Sequence, residues 1–151
     1  MAKDRLSSIQ TGVAGEYFVA AELTRRGYVA SLTLRNTRGI DILASNGDAT
    51  KSVGIQVKTG KGSGLAWILN KKAEADLAEN LFYVFVKLPE EGLPTFHVVP
   101  RKVVAKYVRD SHTNWLKTPG RGGRQRVDSD MRQFKDPEGQ YRDRWDLLGL
   151  D

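Results

Sequence analysis

The sequence predicts an α/β fold in which helices flank a central mixed β-sheet. Apolar residues recur at helical spacing between residues 5 and 26, and apolar and polar residues alternate in short segments from 28 to 59. The strongly apolar run LFYVFVKL at 81–88 is typical of a central strand that is buried on both faces. With the segments that follow, these patterns give the element order α-β-β-β-α-β-β-α.

The first helix has the clearest pattern. Val13, Phe18 and Leu23 lie on one broad apolar face of the segment 5–26. Gly27 is expected to end the helix, because glycine readily adopts the left-handed conformation that follows many helices. The predicted elements after it are strands at 28–34, 39–45 and 52–59, a second helix at 70–80, strands at 81–88 and 95–99, and a C-terminal helix whose first residue is Pro100.

The chain is expected to form one domain over all 151 residues. Its core spans about residues 12–100, and residues 101–151 form a C-terminal part. Within that part, residues 117–139 are rich in Gly, Pro and Arg and are predicted to be an extended basic loop. The segment YRDRWDLLGL is expected to pack back onto the core through three apolar residues, Trp145, Leu147 and Leu148.

The composition favours some partners and excludes others. The net charge of +6 and the pI near 9.7 favour polyanions such as nucleic acid. The chain has no cysteine, which excludes disulfides and thiolate metal sites. No apolar run approaches the roughly 20 residues that span a bilayer, and the N-terminal segment lacks the apolar region of a signal peptide. These observations predict a cytoplasmic protein without a membrane partner.

The second and third strands are predicted to form a hairpin whose register has two alternatives. A turn centred between residues 48 and 49 pairs Asp41 with Gln56, whereas a turn centred on residues 46 and 47 moves Asp41 toward Ser52. Both registers place two sets of side chains on opposite faces of the sheet: the polar Asp41, Gln56 and Lys58, and the apolar Ile40, Ile42, Ile55 and Val57.

The polar set suits phosphodiester hydrolysis. Mg²⁺ (or Mn²⁺) prefers hard oxygen ligands, which Asp41, the side-chain carbonyl of Gln56 and the peptide carbonyl of Val57 would supply. Lys58 would position or deprotonate the attacking water, or offset charge that develops on the phosphate. Glu16, a polar residue between apolar neighbours in the first helix, is expected to be a fourth member of the site.

The segments GE…VAAEL, GIDIL and QVK, in this order, resemble the PD-(D/E)XK nuclease superfamily. The pattern is most similar to archaeal Holliday-junction resolvases and to small bacterial nuclease-like proteins of unknown function. The resemblance covers about residues 12–100 and implies a restriction-endonuclease-like αβββαβ core. It places the superfamily's acidic metal ligand on Asp41, its (D/E)XK motif on residues 56–58 and the first-helix glutamate of the resolvase branch on Glu16.

The resemblance implies a metal-dependent endonuclease that hydrolyses phosphodiester bonds, with DNA as the leading substrate. Resolvases of this branch act as dimers, so a homodimer is implied as well, although no self-complementary surface can be read from the sequence. The alternative is a nuclease-fold module without catalytic activity that binds nucleic acid or a protein partner.

Two residues depart from the superfamily pattern. Ile40 replaces the motif proline, which does not coordinate metal. Gln56 replaces the second acid, so the site has one negative charge fewer and its metal affinity should fall unless Glu16 compensates. Some active branches of the superfamily resemble this chain in having glutamine at that position.

Each candidate also has a structural interpretation. Asp41 would cap the hairpin or pair with Lys58, and Gln56 would be a satisfied buried amide. Lys58 would point to solvent from a sheet edge, and Glu16 would be a surface residue bonded to Arg38 or Lys58. Aspartate is disfavoured inside a strand, so the apolar neighbours of Asp41 favour a functional role for it.

Basic residues beyond the third strand are candidates for contacts with a phosphate backbone. Lys61 lies in the loop GKGSG, beside the proposed metal site. The predicted basic loop contributes three arginines, Arg121, Arg124 and Arg126. It is expected to follow a phosphate backbone as a flexible arm, and Trp115 nearby offers a surface on which a base would stack. The other interpretation is a solvated loop.

Overall fold

A computed structural model describes residues 5–34, 39–75 and 78–151 of the chain. Within those ranges the elements are α1 (Ser8–Arg25), β1 (Val29–Leu32), β2 (Ile42–Ser45), β3 (Ser52–Lys61), β4 (Ala66–Asn70), β5 (Leu81–Leu88), β6 (Thr95–Pro100), α2 (Arg101–Lys117) and β7 (Met131–Lys135). Short 3₁₀ helices lie at Lys71–Glu74, Arg121–Gly123 and Trp145–Leu148. The α/β fold class predicted from the sequence is confirmed.

Capping residues determine where α1 begins and ends. The N–H of Gln10 donates to the Ser7 hydroxyl at 3.1 Å, and the N–H of Ser7 donates to the Gln10 side-chain carbonyl at 2.9 Å. This reciprocal pair is a capping box, so the helix begins at Ser8, three residues later than expected. Gly27 has a φ of +91° and ends the helix in the left-handed conformation, as predicted.

A mixed five-stranded sheet has the strand order β1-β2-β3-β5-β6. β3 and β5 are parallel, and the other neighbouring strands are antiparallel. β5 lies between β3 and β6, and its residues 82–87 are buried, which confirms the prediction of a central strand.

Each face of the sheet has its own hydrophobic core. The α1-side core joins α1 to one face, with Val19, Ile55 and Val84 among its buried residues. The C-terminal segment completes this core through Trp145, Leu148 and Leu150, with Leu147 packed against it, so the expected docking is confirmed. The α2-side core joins α2 to the other face; its buried residues are Trp67, Leu69, Ala73, Tyr83, Phe85, Val99, Val104, Val108 and Phe134.

The helix α2 begins directly after β6. Pro100 was expected as its first residue but is instead its N-cap, with the extended backbone of the preceding strand. Val104 and Val108 face the sheet and are fully buried. No helix in the described part of the chain is long and apolar enough to cross a membrane.

Two predictions in the second half of the chain are wrong. The segment 70–80 was expected to be a helix, but its described part contains only a 3₁₀ turn after β4; residues 76 and 77 lie outside the described residues. The segment 117–139 was expected to be an extended loop, but it contains β7, which pairs with β4 in a second, two-stranded sheet. Both strands bury alternate side chains, and Trp67 opposite Phe134 fixes them on the α2-side core.

Candidate active site

The register of the β2–β3 hairpin sets the geometry of the candidate site. Ile42 pairs with Ile55 and Leu43 pairs with Gly54. This is the register of a turn centred between residues 48 and 49, so that alternative is confirmed.

Asp41 lies directly before β2, not inside it as expected, and is half-buried. Its N–H donates to the Ile55 carbonyl at 2.8 Å, and its carboxylate Oδ2 accepts the N–H of Val57 at 2.7 Å. The described strand pairing ends at Ile42, so the carboxylate takes the place of a backbone acceptor for Val57. This hydrogen bond holds the Asp41 side chain against the strand that carries Gln56 and Lys58.

Gln56 and Lys58 share the α2-side face of the sheet, as the alternation predicts. In the parallel pairing they lie opposite Tyr83 and Phe85, which belong to the α2-side core. Both side chains are half-buried. The Gln56 Oε1 atom is fully buried and has no hydrogen-bond partner among the described residues, so these residues do not satisfy the amide oxygen.

Ile40 lies on this same face, which corrects its predicted position beside Ile42. A Cβ atom placed on Gly54, which shares the face of Gln56, would lie 3.3 Å from Ile40 Cδ1. Alternation does not extend to Ile40 because the described strand begins only at Ile42. Ile40 therefore covers Gly54 next to the candidate site.

Glu16 lies on the helix that covers the opposite face. Its neighbour Gly15 is buried against Thr59: a Cβ atom on Gly15 would lie 1.8 Å from Thr59 Oγ1. Glu16 is half-buried beside this contact. To belong to the site, its carboxylate would have to lie near Asp41 at the start of β2, so this role of Glu16 stays a prediction. Arg38, its alternative partner, lies outside the described residues.

The predicted phosphate-binding residues differ in how they are held. Lys61 is the last residue of β3, not a loop residue, and its ammonium donates to the Leu6 carbonyl. Arg121 and Arg124 are exposed. Arg126 is half-buried and is not on a free arm, as two contacts show. Its guanidinium lies 4.7 Å from the ring centroid of Trp115, and its Nε donates to the Thr118 carbonyl at 2.9 Å.

The oxygen atoms of the site fit a hard cation. In the described part of the chain, no group of three or more His, Cys, Asp or Glu side chains is arranged to hold a metal ion. A cation here would instead combine the carboxylate of Asp41 with neutral oxygens. The buried Oε1 of Gln56 would gain the partner that it lacks, and such oxygens are the ligands that Mg²⁺ and Mn²⁺ accept.

A further residue, absent from the sequence candidates, borders Gln56. A Cβ atom placed on Gly39 would lie 3.2 Å from Arg101 Nη2 and 3.5 Å from Gln56 Oε1. Arg101 is the first residue of α2 and is 8% exposed. The one sequence signal for it is a basic residue in the first turn of a helix, where the dipole disfavours positive charge.

Two solved structures resemble the chain over nearly its whole length. Hjc, a Holliday junction resolvase from Archaeoglobus fulgidus, matches with a TM-score of 0.53 at 14% identity, covering 93% of this chain and 97% of that chain. A bacterial homing endonuclease matches with a TM-score of 0.58 at 18% identity, covering 95% of this chain and 92% of that chain. The chain has the restriction-endonuclease-like fold.

This fold is the one that the sequence resemblance implied, so that expectation is confirmed. No protein-family model matches the sequence, and a search of curated proteins finds no match.

Proposed function

We propose that the chain is a metal-dependent nuclease that hydrolyses phosphodiester bonds, with DNA as the leading substrate. The observation that supports the proposal is the hydrogen bond from the Val57 N–H to the Asp41 carboxylate, which holds this carboxylate against the strand of Gln56 and Lys58 in a restriction-endonuclease-like fold. Two of the similar solved structures are named as a Holliday junction resolvase and a homing endonuclease, which supports the proposal.

Each residue has a defined chemical role in this proposal. When bound, Mg²⁺ or Mn²⁺ would polarise the phosphodiester as a Lewis acid. Asp41 and Gln56 would hold the ion, with the peptide carbonyl of Val57 and the carboxylate of Glu16 as further ligands. The Val57 N–H fixes the orientation of the Asp41 carboxylate. Lys58 would hold the attacking water at its ammonium group or offset negative charge on the phosphate.

One observation favours a second candidate function. A neutral glutamine stands where the superfamily pattern has its second acid, which lowers the negative charge available to a cation. A nuclease-fold module that binds nucleic acid or a protein partner without cleaving it would need no such charge. The two candidates differ in one measurable property, which is cleavage that depends on a divalent metal.

Replacing Lys58 with methionine is expected to lower the cleavage rate about 10²-fold or more, because the variant loses a charge at the reacting phosphate. Rates should be measured with Mg²⁺ and with Mn²⁺ on single-stranded, duplex and branched DNA and on RNA. Lys106→Met is the matched control, since Lys106 is exposed on α2 and pairs only with Asp110 in the described residues.

Two outcomes would contradict the proposal. If wild-type protein cleaves none of these substrates with either metal, the binding module becomes the better interpretation. If Lys58→Met and Lys106→Met cleave equally well, Lys58 has no part in the reaction.

The exposed arginines after α2 are proposed to contact a nucleic-acid backbone. The double variant Arg121→Ala, Arg124→Ala is expected to bind DNA several-fold more weakly and to lower the slope of log K against log salt by about 2. The control is Arg142→Ala, Arg144→Ala, because these arginines already lie against Asp143 and Asp146. Equal effects of the two double variants in an anisotropy titration would show that the basic segment has no special contact with DNA.

A further inference from the structure

Among the described residues, two arginines are buried, and they differ in how their charge is balanced. Arg132 is neutralised, because its Nε donates to Glu74 Oε1 at 2.6 Å and its Nη1 donates to the Ser129 carbonyl at 2.7 Å. Arg101 pairs with no carboxylate of the described chain. Its Nε is buried without a hydrogen-bond partner, and its Nη1 makes one long contact, 3.5 Å from the Gly39 carbonyl.

The surroundings of Arg101 do not offset its positive charge. The guanidinium lies 5.1 Å from the ring centroid of Tyr83. Burial raises the pKa of Tyr83, and the charge of Arg101 and a side-chain hydrogen bond with Arg101 lower this pKa only in part, so the phenol stays neutral. The cation–π contact is weaker than a paired carboxylate would be. Arg101 is thus a buried cation without an anionic partner among the described residues.

The start of α2 adds positive potential around Arg101. The first turn contains no acidic residue, and Pro100 as N-cap provides no side-chain hydrogen bond to the free N–H groups. The helix dipole concentrates positive potential at the same end. The carboxylate of Glu79 pairs at 3.2 Å with the exposed Lys102, not with Arg101, so it does not neutralise Arg101.

Arg101 and Gln56 both lie next to Gly39 in the candidate active site. Gly39 has a φ of +61°, and a Cβ atom at that position would lie 3.2 Å from Arg101 Nη2 and 3.5 Å from Gln56 Oε1. Arg101 Nε and Gln56 Oε1 are both buried without a hydrogen-bond partner among the described residues. An unpartnered buried group costs free energy, and an anion would give the guanidinium the acceptor that it lacks.

We propose that Arg101 binds a phosphate oxygen of the nucleic-acid substrate beside Gln56. A guanidinium presents several N–H donors in a planar fork that matches phosphate, and the free N–H groups at the start of α2 add to the attraction. The identity of the phosphate carrier rests on the proposed function, whereas the anion site rests on Arg101 alone. A phosphate held here lies next to the residues that would activate it.

An anion site at Arg101 also explains why residue 56 is a neutral glutamine. A glutamate there would pair with Arg101 and take the place of the bound anion. Glutamine leaves the guanidinium unpaired and still offers a carbonyl oxygen. Gln56→Glu is therefore expected to weaken phosphate binding, although it restores the acid of the superfamily pattern.

Thermal stability with inorganic phosphate tests the anion site without any nuclease activity. At matched ionic strength, phosphate is expected to raise the Tm of the wild type by a few degrees but not that of Arg101→Met or Gln56→Glu. Without phosphate, Arg101→Met should be as stable as the wild type or more stable, because methionine removes an unpaired buried charge. Arg132→Met is the matched control; it should lower the Tm and keep the phosphate response.

An anisotropy titration with a labelled DNA duplex in EDTA tests the carrier of the phosphate. Arg101→Met is expected to bind about tenfold more weakly and to lower the salt slope by about 1, whereas Arg101→Lys should keep the slope and lose part of the affinity. Unchanged DNA affinity in Arg101→Met would overturn this inference alone and leave the proposed nuclease standing.

Two other results would also overturn it. A loss of stability in Arg101→Met with no phosphate response in the wild type would make Arg101 a structural residue. A phosphate response in wild-type protein that does not bind DNA would contradict the proposed function and would assign the anion site to another phosphate compound.

Discussion

Replacing Asp41 with asparagine is expected to abolish metal-dependent cleavage while leaving the fold intact. The asparagine carbonyl oxygen can still accept the N–H of Val57, the hydrogen bond that holds residue 41 against β3. The variant loses the negative charge on which cation binding at this site depends. Loss of one preorganised electrostatic group lowers rates by about 10²–10³-fold, and loss of the ion itself should lower them further.

The comparison with Asp41→Ala separates the two roles of this residue. Alanine removes the acceptor as well as the charge, and an unpartnered buried N–H costs about 1–3 kcal/mol. The Tm should therefore fall for alanine and stay close to wild type for asparagine, while calorimetry with Mn²⁺ shows weakened binding for both. If Asp41→Asn cleaves at the wild-type rate, Asp41 has only a structural role in the hairpin.

Replacing Gly15 with alanine is expected to give the largest loss of stability from a single methyl group. The added Cβ would lie 1.8 Å from Thr59 Oγ1 and 2.9 Å from Thr59 Cβ. Rotation of the threonine side chain relieves the first overlap but not the second, because its Cβ is fixed to the backbone of β3. The helix must move away from the sheet, and overpacking of this kind costs about 1–3 kcal/mol.

Gly12 provides the matched control on the same helix. A Cβ atom there meets no described atom within 4 Å, so Gly12→Ala should stabilise the helix by roughly 0.5–1 kcal/mol. Thermal unfolding of the two variants should thus shift in opposite directions from the wild type. If both shift alike, α1 does not approach β3 closely at Gly15. Rescue of Gly15→Ala by Thr59→Gly would confirm the contact directly.

The parts of the fold that were predicted correctly follow from patterns within a few residues. The apolar face of α1 and its end at Gly27 are local signals. The shared face of Gln56 and Lys58 follows from the period of two in a strand, and this period does not depend on the register. The confirmed hairpin register needed one further assumption, which was the position of the turn.

The parts that were predicted wrongly depend on contacts between distant segments. β4 and β7 are separated by about sixty residues, and each is stable only because Trp67 and Phe134 pack together on the α2-side core. The Lys- and Ala-rich composition of 70–80 favoured a helix, but packing overrode that propensity. Likewise, the burial of Arg101 beside Gln56 arises from a helix that returns to the site after three further strands.

The completion of the α1-side core by residues 145–150 has a consequence for folding. Trp145 packs against Phe96, and Lys51 donates to the carbonyl of Asp151, 100 positions away. Contacts between such distant positions form late, because the intervening chain must first close a long loop. During synthesis, part of the α1-side face of the sheet would stay uncovered until this segment had left the ribosome, and nascent chains are therefore expected to bind chaperones through that surface.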